Sequence, residues 1–228
     1  MLQVDRLTTG YLKAPVLRDV SIDVGDGMVA VLGTNGAGKT TLLRAISGHL
    51  KAWSGSVTLE GRSLARLSPW NRSRAGVAHV PEGRHAFNAM TVAENLDVAG
   101  LRTRTKKDGV YELFPRLHER RDQLAGSMSG GEQQMLVIGR ALMTEPKVLL
   151  VDEMSAGLAP VTARALVESL RTIHERGVAM LLVEQSPQLI ADVVDRVYVL
   201  DRGTVSASGT IDDIGGVDGL AEMYLATR

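Results

Sequence analysis

Apolar residues along the chain fall into runs of two kinds. Short, almost continuous runs occupy Met28–Leu32, Val77–Val80, 148–151 and 178–183, and polar or glycine-bearing segments stop each of them. Unbroken runs of this length predict strands buried on both faces, as in a parallel sheet. Looser alternation at 2–12, 20–24, 56–59, 197–200 and 204–207 predicts further strands. Turns are expected at Thr9-Gly10, Gly25-Asp26-Gly27, Glu60-Gly61 and Asp201-Arg202-Gly203. Helical spacing follows the first buried run, through Leu42, Leu43, Ile46 and Leu50. It returns behind Pro160 at Leu166, Val167, Leu170 and Ile173, behind Pro187 at Leu189, Ile190, Val193 and Val194, and in a short piece at 220–225. Between about 84 and 143 strand signals nearly vanish. There Thr91-Val92-Ala93-Glu94 reads as a capping box, and a helical piece at 111–117 contains Pro115. The pattern predicts one α/β domain over 1–228, with a core and β subdomain in 1–83 and 144–228 and a helical insertion near 84–143.

Composition changes this picture little. Lysine plus arginine and aspartate plus glutamate are both 26, so no strong electrostatic partner is indicated, nucleic acid included. The absence of cysteine excludes disulfides, thiolate metal sites and cysteine nucleophiles. Every apolar run is well below the roughly 18 residues of a membrane span, and the N-terminus lacks a signal-peptide layout. A soluble chain is expected, reaching a membrane only through another chain. The five histidines show no metal-binding spacing, Ser129 is not in a nucleophile elbow, and the basic stretch Arg102 to Lys107 lacks interleaved aromatics.

The densest chemistry lies between the first buried strand and its helix. Gly33-Thr34-Asn35-Gly36-Ala37-Gly38-Lys39-Thr40-Thr41 matches G-x-x-x-x-G-K-[ST] in the strand–loop–helix context that a phosphate-binding loop requires. Glycines let backbone N–H groups surround a phosphate, Lys39 adds a mobile cation, and Thr40 offers a hydroxyl to Mg²⁺. A chance glycine-rich turn would not need the whole pattern. The run at 148–151 ends in Asp152-Glu153. Alone this could be an acid pair opening a helix. Beside a phosphate loop, Asp152 reads as a Mg²⁺ holder and Glu153 as the group that polarises an attacking water. Ser129 and Glu132 form another capping box, yet Gly130 and Gly131 sit in the first helical turn, where each costs about 1 kcal/mol. A second phosphate cradle would explain them, and two subunits sharing one triphosphate would explain why two cradles exist.

Ser129-Gly130-Gly131-Glu132-Gln133 resembles the signature of ATP-binding-cassette ATPases, and the three motifs stand in that family's order across essentially the whole chain. The resemblance implies a P-loop NTPase of the cassette fold: an α/β RecA-like core with an N-terminal antiparallel β subdomain and an inserted helical subdomain. It implies ATP and Mg²⁺ as ligands, Tyr11 stacking on adenine, and Ser155-Ala156-Gly157-Leu158-Ala159 at a dimer contact. Ser129, Gly130 and Gly131 would close on the ATP held by another cassette. Glu82 stands where the family usually has glutamine, and Gln185 where it usually has histidine. Glu82 would still reach Mg²⁺, and Gln185 would position rather than carry charge. Val80-Pro81-Glu82-Gly83-Arg84, Leu182-Val183-Glu184-Gln185 and Asp152-Glu153-Met154-Ser155-Ala156-Gly157 look like the branched-chain amino-acid uptake ATPases, in particular the shorter, LivF type.

That subfamily implies a bacterial importer with a sister ATPase (a homodimer being the other arrangement), two membrane permeases and an extracytoplasmic binding protein. The chain would lie on the cytoplasmic face of the inner membrane. The stretch 83–96 is the expected permease contact. Related urea or amide importers share these motifs. A soluble cassette ATPase acting on nucleic acid or ribosomes, or a regulatory nucleotide-binding module, are the readings outside transport.

Overall fold

A computed structural model describes residues 1–217 and 219. The predicted helix at 220–225 lies outside the described residues. The first part of the chain runs β1 (Leu2–Tyr11), β2 (Ala14–Gly25), β3 (Met28–Leu32), α1 (Lys39–Ser47), β4 (Ser54–Leu59), β5 (Arg62–Ser63), α2 (Pro69–Ala75) and β6 (Val77–Val80). Then come α3 (Val92–Gly100), α4 (Asp108–Leu113), α5 (Pro115–Glu119) and α6 (Gly130–Leu142). The last part is β7 (Val148–Asp152), α7 (Pro160–Glu175), β8 (Ala179–Glu184), α8 (Pro187–Ile190), β9 (Arg196–Asp201) and β10 (Thr204–Gly209).

Two sheets carry the fold. One is antiparallel, in the order β2-β1-β4-β5, and the other has the order β10-β9-β3-β8-β7-β6. In the second sheet β9, β3, β8, β7 and β6 are parallel, and only β10 runs against its neighbour. The continuous apolar runs follow from this placement. On β3, Met28, Ala30 and Leu32 face a core that also takes Leu136 and Leu166 from α6 and α7. Val29 and Val31 face the other core, which is closed by the antiparallel sheet and by Leu42, Leu43 and Ile46 of α1. Both faces are covered, so no polar alternation survives. The three α1 side chains are fully buried, worth about 1.5–3 kcal/mol each, and they anchor the helix behind the glycine loop.

Several local expectations change. Thr9-Gly10 is not a turn: β1 continues to Tyr11, pairing Gly10 with Pro15, and the chain reverses at Leu12, which takes a φ of 57°. Gly25-Asp26-Gly27 does not form a hairpin, because β2 and β3 belong to different sheets. The first helix stops at Ser47, with Gly48 in the left-handed conformation, short of Leu50. Helix α2 carried too few apolar residues to show a period. Only Arg72 within it is buried. Pro115 begins α5 rather than interrupting a helix, and the helix behind Pro187 ends at Ile190, before Val193 and Val194.

The segment between β6 and α3 has little regular structure, and it is held by one buried side chain. Asn95 accepts from the Phe87 N–H at 2.9 Å and donates to the carbonyls of Phe87 and Thr91 at 3.0 and 2.9 Å. It is fully buried, so truncation strands several backbone groups at once. Replacing Asn95 by alanine is expected to lower unfolding stability by about 2–3 kcal/mol in urea denaturation. A loss within the scatter of a surface control would refute this account of the segment.

Candidate functional site

The C-terminal edge of the parallel sheet gathers the chemistry. Leu32 of β3 lies beside Glu184 of β8, and Val183 of β8 lies beside Asp152 of β7. The glycine loop, Asp152-Glu153 and Glu184-Gln185 therefore leave adjacent strands at the same end. A cavity of about 480 Å³ opens there. Tyr11, Asn35, Gly36, Gly38, Lys39, Thr40, Thr41, Glu82, Glu153 and Gln185 line it. Gly33, Thr34 and Ala37 belong to the same loop. Backbone bonds shape it: the Ala37 N–H donates to the Thr34 carbonyl at 3.1 Å, and the Ala37 carbonyl accepts from Gly203 at 3.0 Å.

Gly38 shows why the loop is glycine-rich. It caps α1 with φ at 109°, and a Cβ there would stand 2.7 Å from Leu17 Cδ2. No side chain caps α1, and no acid occupies its first turn. Its leading N–H groups and its positive dipole end are left for an anion. Lys39 is buried and folds back on the loop. Its Nζ donates to the carbonyls of Gly33 at 2.7 Å and Thr34 at 3.1 Å, and lies 3.4 Å from Glu153 Oε1. Tyr11 ends β1 at the rim, and its hydroxyl accepts from Arg44 Nη1 at 3.2 Å. Burial raises the Tyr11 pKa, but hydrogen bonds with Thr41 and Arg44 and the Arg44 charge outweigh it, so the net shift is downward.

Asp152 fits a cation. It is fully buried, and among the described residues neither carboxylate oxygen has a hydrogen-bond partner. Burial pushes its pKa up to about 6, aided by the Glu153 and Glu82 charges and opposed by the Thr40 hydroxyl and Lys39. An orphaned carboxylate beside a threonine hydroxyl is a donor set of hard oxygens, the kind Mg²⁺ takes. Glu153 follows in a left-handed conformation, φ 42°, which turns its side chain out of the strand direction. Gln185 Nε2 donates to Glu153 Oε2 at 2.5 Å, so the residue in the switch position holds the candidate base directly.

Ser129, Gly130 and Gly131 do not line this cavity. They open α6, where the Ser129 hydroxyl donates to Glu132 Oε2 at 2.8 Å and Arg120 pairs with Glu132 Oε1 at 2.9 Å. Side chains within the chain come close to both glycines, the one at Gly130 being the movable end of Arg84. A Cβ on Gly130 would lie 2.3 Å from the Arg84 guanidinium carbon, and one on Gly131 would lie 2.3 Å from Thr162 Cγ2.

Two residues gain a place that spacing could not supply. Glu184 is buried at the end of β8. It accepts from the Ser155 hydroxyl at 2.8 Å and the Ser155 N–H at 3.3 Å, tying the loop after Glu153 to the strand that carries Gln185. Burial raises its pKa against the pull of those bonds. In sequence it was an acid ending an apolar run, inside the Leu182-Val183-Glu184-Gln185 segment, with no sign of its partner. Arg140 of α6 lies over the Phe87 ring at 3.9 Å and donates to the His85 carbonyl at 2.6 Å, which links the Glu82 loop to the signature helix.

A phosphate loop on a parallel sheet, with an acid pair two strands away across β8, defines a P-loop nucleoside-triphosphatase. The sequence pattern of the family described as ABC transporter matches residues 17–156, more than half of the chain. The chain belongs to that family and is an ABC ATPase. It is 46% identical over 211 residues, 90% of its length and 91% of the relative's, to the high-affinity branched-chain amino acid transport ATP-binding protein BraG of Pseudomonas aeruginosa. It is 34% identical to the probable branched-chain amino acid transport ATP-binding protein LivF of Archaeoglobus fulgidus, covering 94% of each. The fold superposes on the ADP conformation of MJ1267, an ATP-binding cassette of an ABC transporter, with a TM-score of 0.89 and 25% identity over 100% of this chain and 97% of that one.

The orphaned Asp152 carboxylate yields a pH-dependent expectation. Its folded pKa, about 6, lies above the ordinary 3.8, so its contribution to stability is full below 3.8 and lost as pH rises through 6. In nucleotide- and metal-free protein, Asp152→Asn should be more stable than the parent by about 2 kcal/mol at pH 8, with the gap closing as pH falls below about 5. Urea unfolding over a pH series checks this. A gap that widens toward acid would sink it.

Proposed function

We propose that the chain is the ATP-hydrolysing subunit of a bacterial importer for branched-chain or other hydrophobic amino acids. The observation that carries the mechanism is the half-built site. Lys39, Thr40, Glu82, Glu153, Gln185 and Tyr11 converge on one cavity, while Ser129, Gly130 and Gly131 stand outside it. The 46% identity to BraG over nine-tenths of the chain supports the cargo class.

In this reading the uncapped start of α1 and the loop glycines bind the phosphates, and Lys39 leaves the carbonyls of Gly33 and Thr34 for them. Tyr11 offers its ring to adenine. Thr40, Asp152 and Glu82 would hold Mg²⁺, which supplies charge neutralisation for the triphosphate. Glu153 orients and polarises the attacking water, and Gln185 holds the Glu153 carboxylate by its amide hydrogen bond. Lys39 leaving Glu153 also frees that carboxylate to accept a proton.

The signature segment serves a second cassette. Ser129 would give up its bond to Glu132 to meet that cassette's phosphate, with Arg120 keeping the Glu132 charge compensated. The partner is a sister ATPase, with a homodimer as the other outcome. Two permeases take the assembly to the cytoplasmic face of the inner membrane, and an extracytoplasmic protein delivers the cargo. The 83–96 segment suits the permease contact: Phe87 is exposed there, and Arg140 carries its displacement to α6. No described helix is long and apolar enough to cross a membrane.

In the complete assembly, Glu153→Gln should retain ATP binding and lower turnover on the order of 10²-fold, as loss of a general base does. Gln185→Ala should lower turnover less, with the Michaelis constant for ATP little changed. Near-normal hydrolysis by Glu153→Gln would remove Glu153 from the role. Reconstitution with the permeases and uptake of labelled leucine against urea tests the cargo.

A further inference from the structure

A second cavity, about 460 Å³, lies beyond the far end of α1, between that helix, β4 and the segment leading into α2. Its lining includes Lys51, Trp53, Ser54, Arg66, Ser68 and Arg72, and among the described residues no acid lines it. Arg72 decides its character. The side chain is 6% exposed, yet no carboxylate among the described residues pairs with it. Nη1 donates to the carbonyls of Ala45 and Ile46 at 2.7 Å each, and Nε donates to the Leu67 carbonyl at 3.2 Å. These bonds complement the C-terminal carbonyls of α1 and fix the guanidinium in place. They bring no formal negative charge to it, and burial lowers its pKa.

Nη2 is the unspent part. It has no hydrogen-bond partner among the described residues, and Arg72 is one of the residues lining the cavity. Gly48 makes room for the arrangement, since a Cβ there would lie 2.9 Å from Arg72 Nε. The rim is preformed. The Trp53 N–H donates to the Thr8 carbonyl at 2.8 Å, and the Lys51 carbonyl accepts from Thr9 at 2.7 Å. A fixed, buried guanidinium with free donors, two more cations at the rim, serine hydroxyls and a half-exposed indole form an anion receptor of small-ligand size.

From this we infer that the cavity binds a phosphate group carried on an organic moiety, with Arg72 and the rim cations on the phosphate and Trp53 against the remainder. The phosphate can belong to a soluble metabolite or to an anionic lipid headgroup. The site is separate from the nucleotide cavity, at the opposite end of the helix that begins at Lys39, and the inference does not depend on the transported cargo.

The test uses the full chain in a Trp70→Phe background, so that Trp53 reports alone, with saturating magnesium ADP filling the nucleotide site. Pyrophosphate is titrated against Trp53 fluorescence, and vesicles of phosphatidylglycerol in phosphatidylcholine are tested by co-sedimentation. Lys51→Gln with Arg66→Gln removes two exposed charges without touching the α1 carbonyls. Arg72→Lys keeps the charge and loses the planar fork. Each change should weaken binding about tenfold or more. Saturable pyrophosphate binding lost in these variants supports a soluble phosphate. Vesicle binding lost in the same variants, with no pyrophosphate signal, supports a headgroup. Binding unchanged in the Lys51/Arg66 variant, a signal abolished by magnesium ADP, or no binding of either probe overturns the inference.

Discussion

The register of three neighbouring parallel strands is the constraint on which the site depends. With Leu32 beside Glu184 and Asp152 beside Val183, the glycine loop, the acid pair and Gln185 can only emerge together. A slip of one residue would turn each side chain to the opposite face. Burial on both faces prevents such a slip, because every position of β3, β7 and β8 is already buried. The apolar cores therefore set the geometry of the polar groups at the sheet edge.

At that edge two buried charges are only partly compensated. Among the described residues neither Asp152 oxygen has a hydrogen-bond partner, and Lys39 is held by loop carbonyls and by Glu153 at 3.4 Å. Both arrangements are worse than what a triphosphate with a divalent cation would provide. Burial of the α1 and strand side chains holds the frame around these groups. The left-handed turn at Glu153 belongs to the same account: a small conformational cost held by neighbouring bonds, including the Glu153 N–H to the Val183 carbonyl at 2.9 Å.

The site also has mechanical neighbours. Glu184 joins the loop after Glu153 to the strand carrying Gln185, and Arg140 joins the Glu82 loop to the helix that Ser129 opens. Elements that would face a partner cassette or a permease are thus connected, through single side chains, to residues lining the nucleotide cavity.

Much of this was legible in the order of residues. The P-loop, the acid pair and the S-G-G-E segment are local patterns, and unbroken apolar runs mark strands buried on both faces, since both signals are carried by near neighbours. Other features were not legible. The turn at Thr9-Gly10 failed because pairing with β2 carries β1 on to Tyr11, and α2 was missed because its burial rests on one arginine. Gly130 and Gly131 were two glycines in a first helical turn until folding brought Arg84 and Thr162 beside them. Glu184 and Arg72 were an acid and a base in a string until folding set one against Ser155 and the other against the end of α1. The sequence by itself determined which chemical groups exist and which local turns and caps they can form, because those depend on covalent neighbours. Tertiary structure alone decided which groups meet, which are buried without a partner, and that Ser129 stands outside the cavity Lys39 lines, because those depend on contacts between residues far apart in the chain.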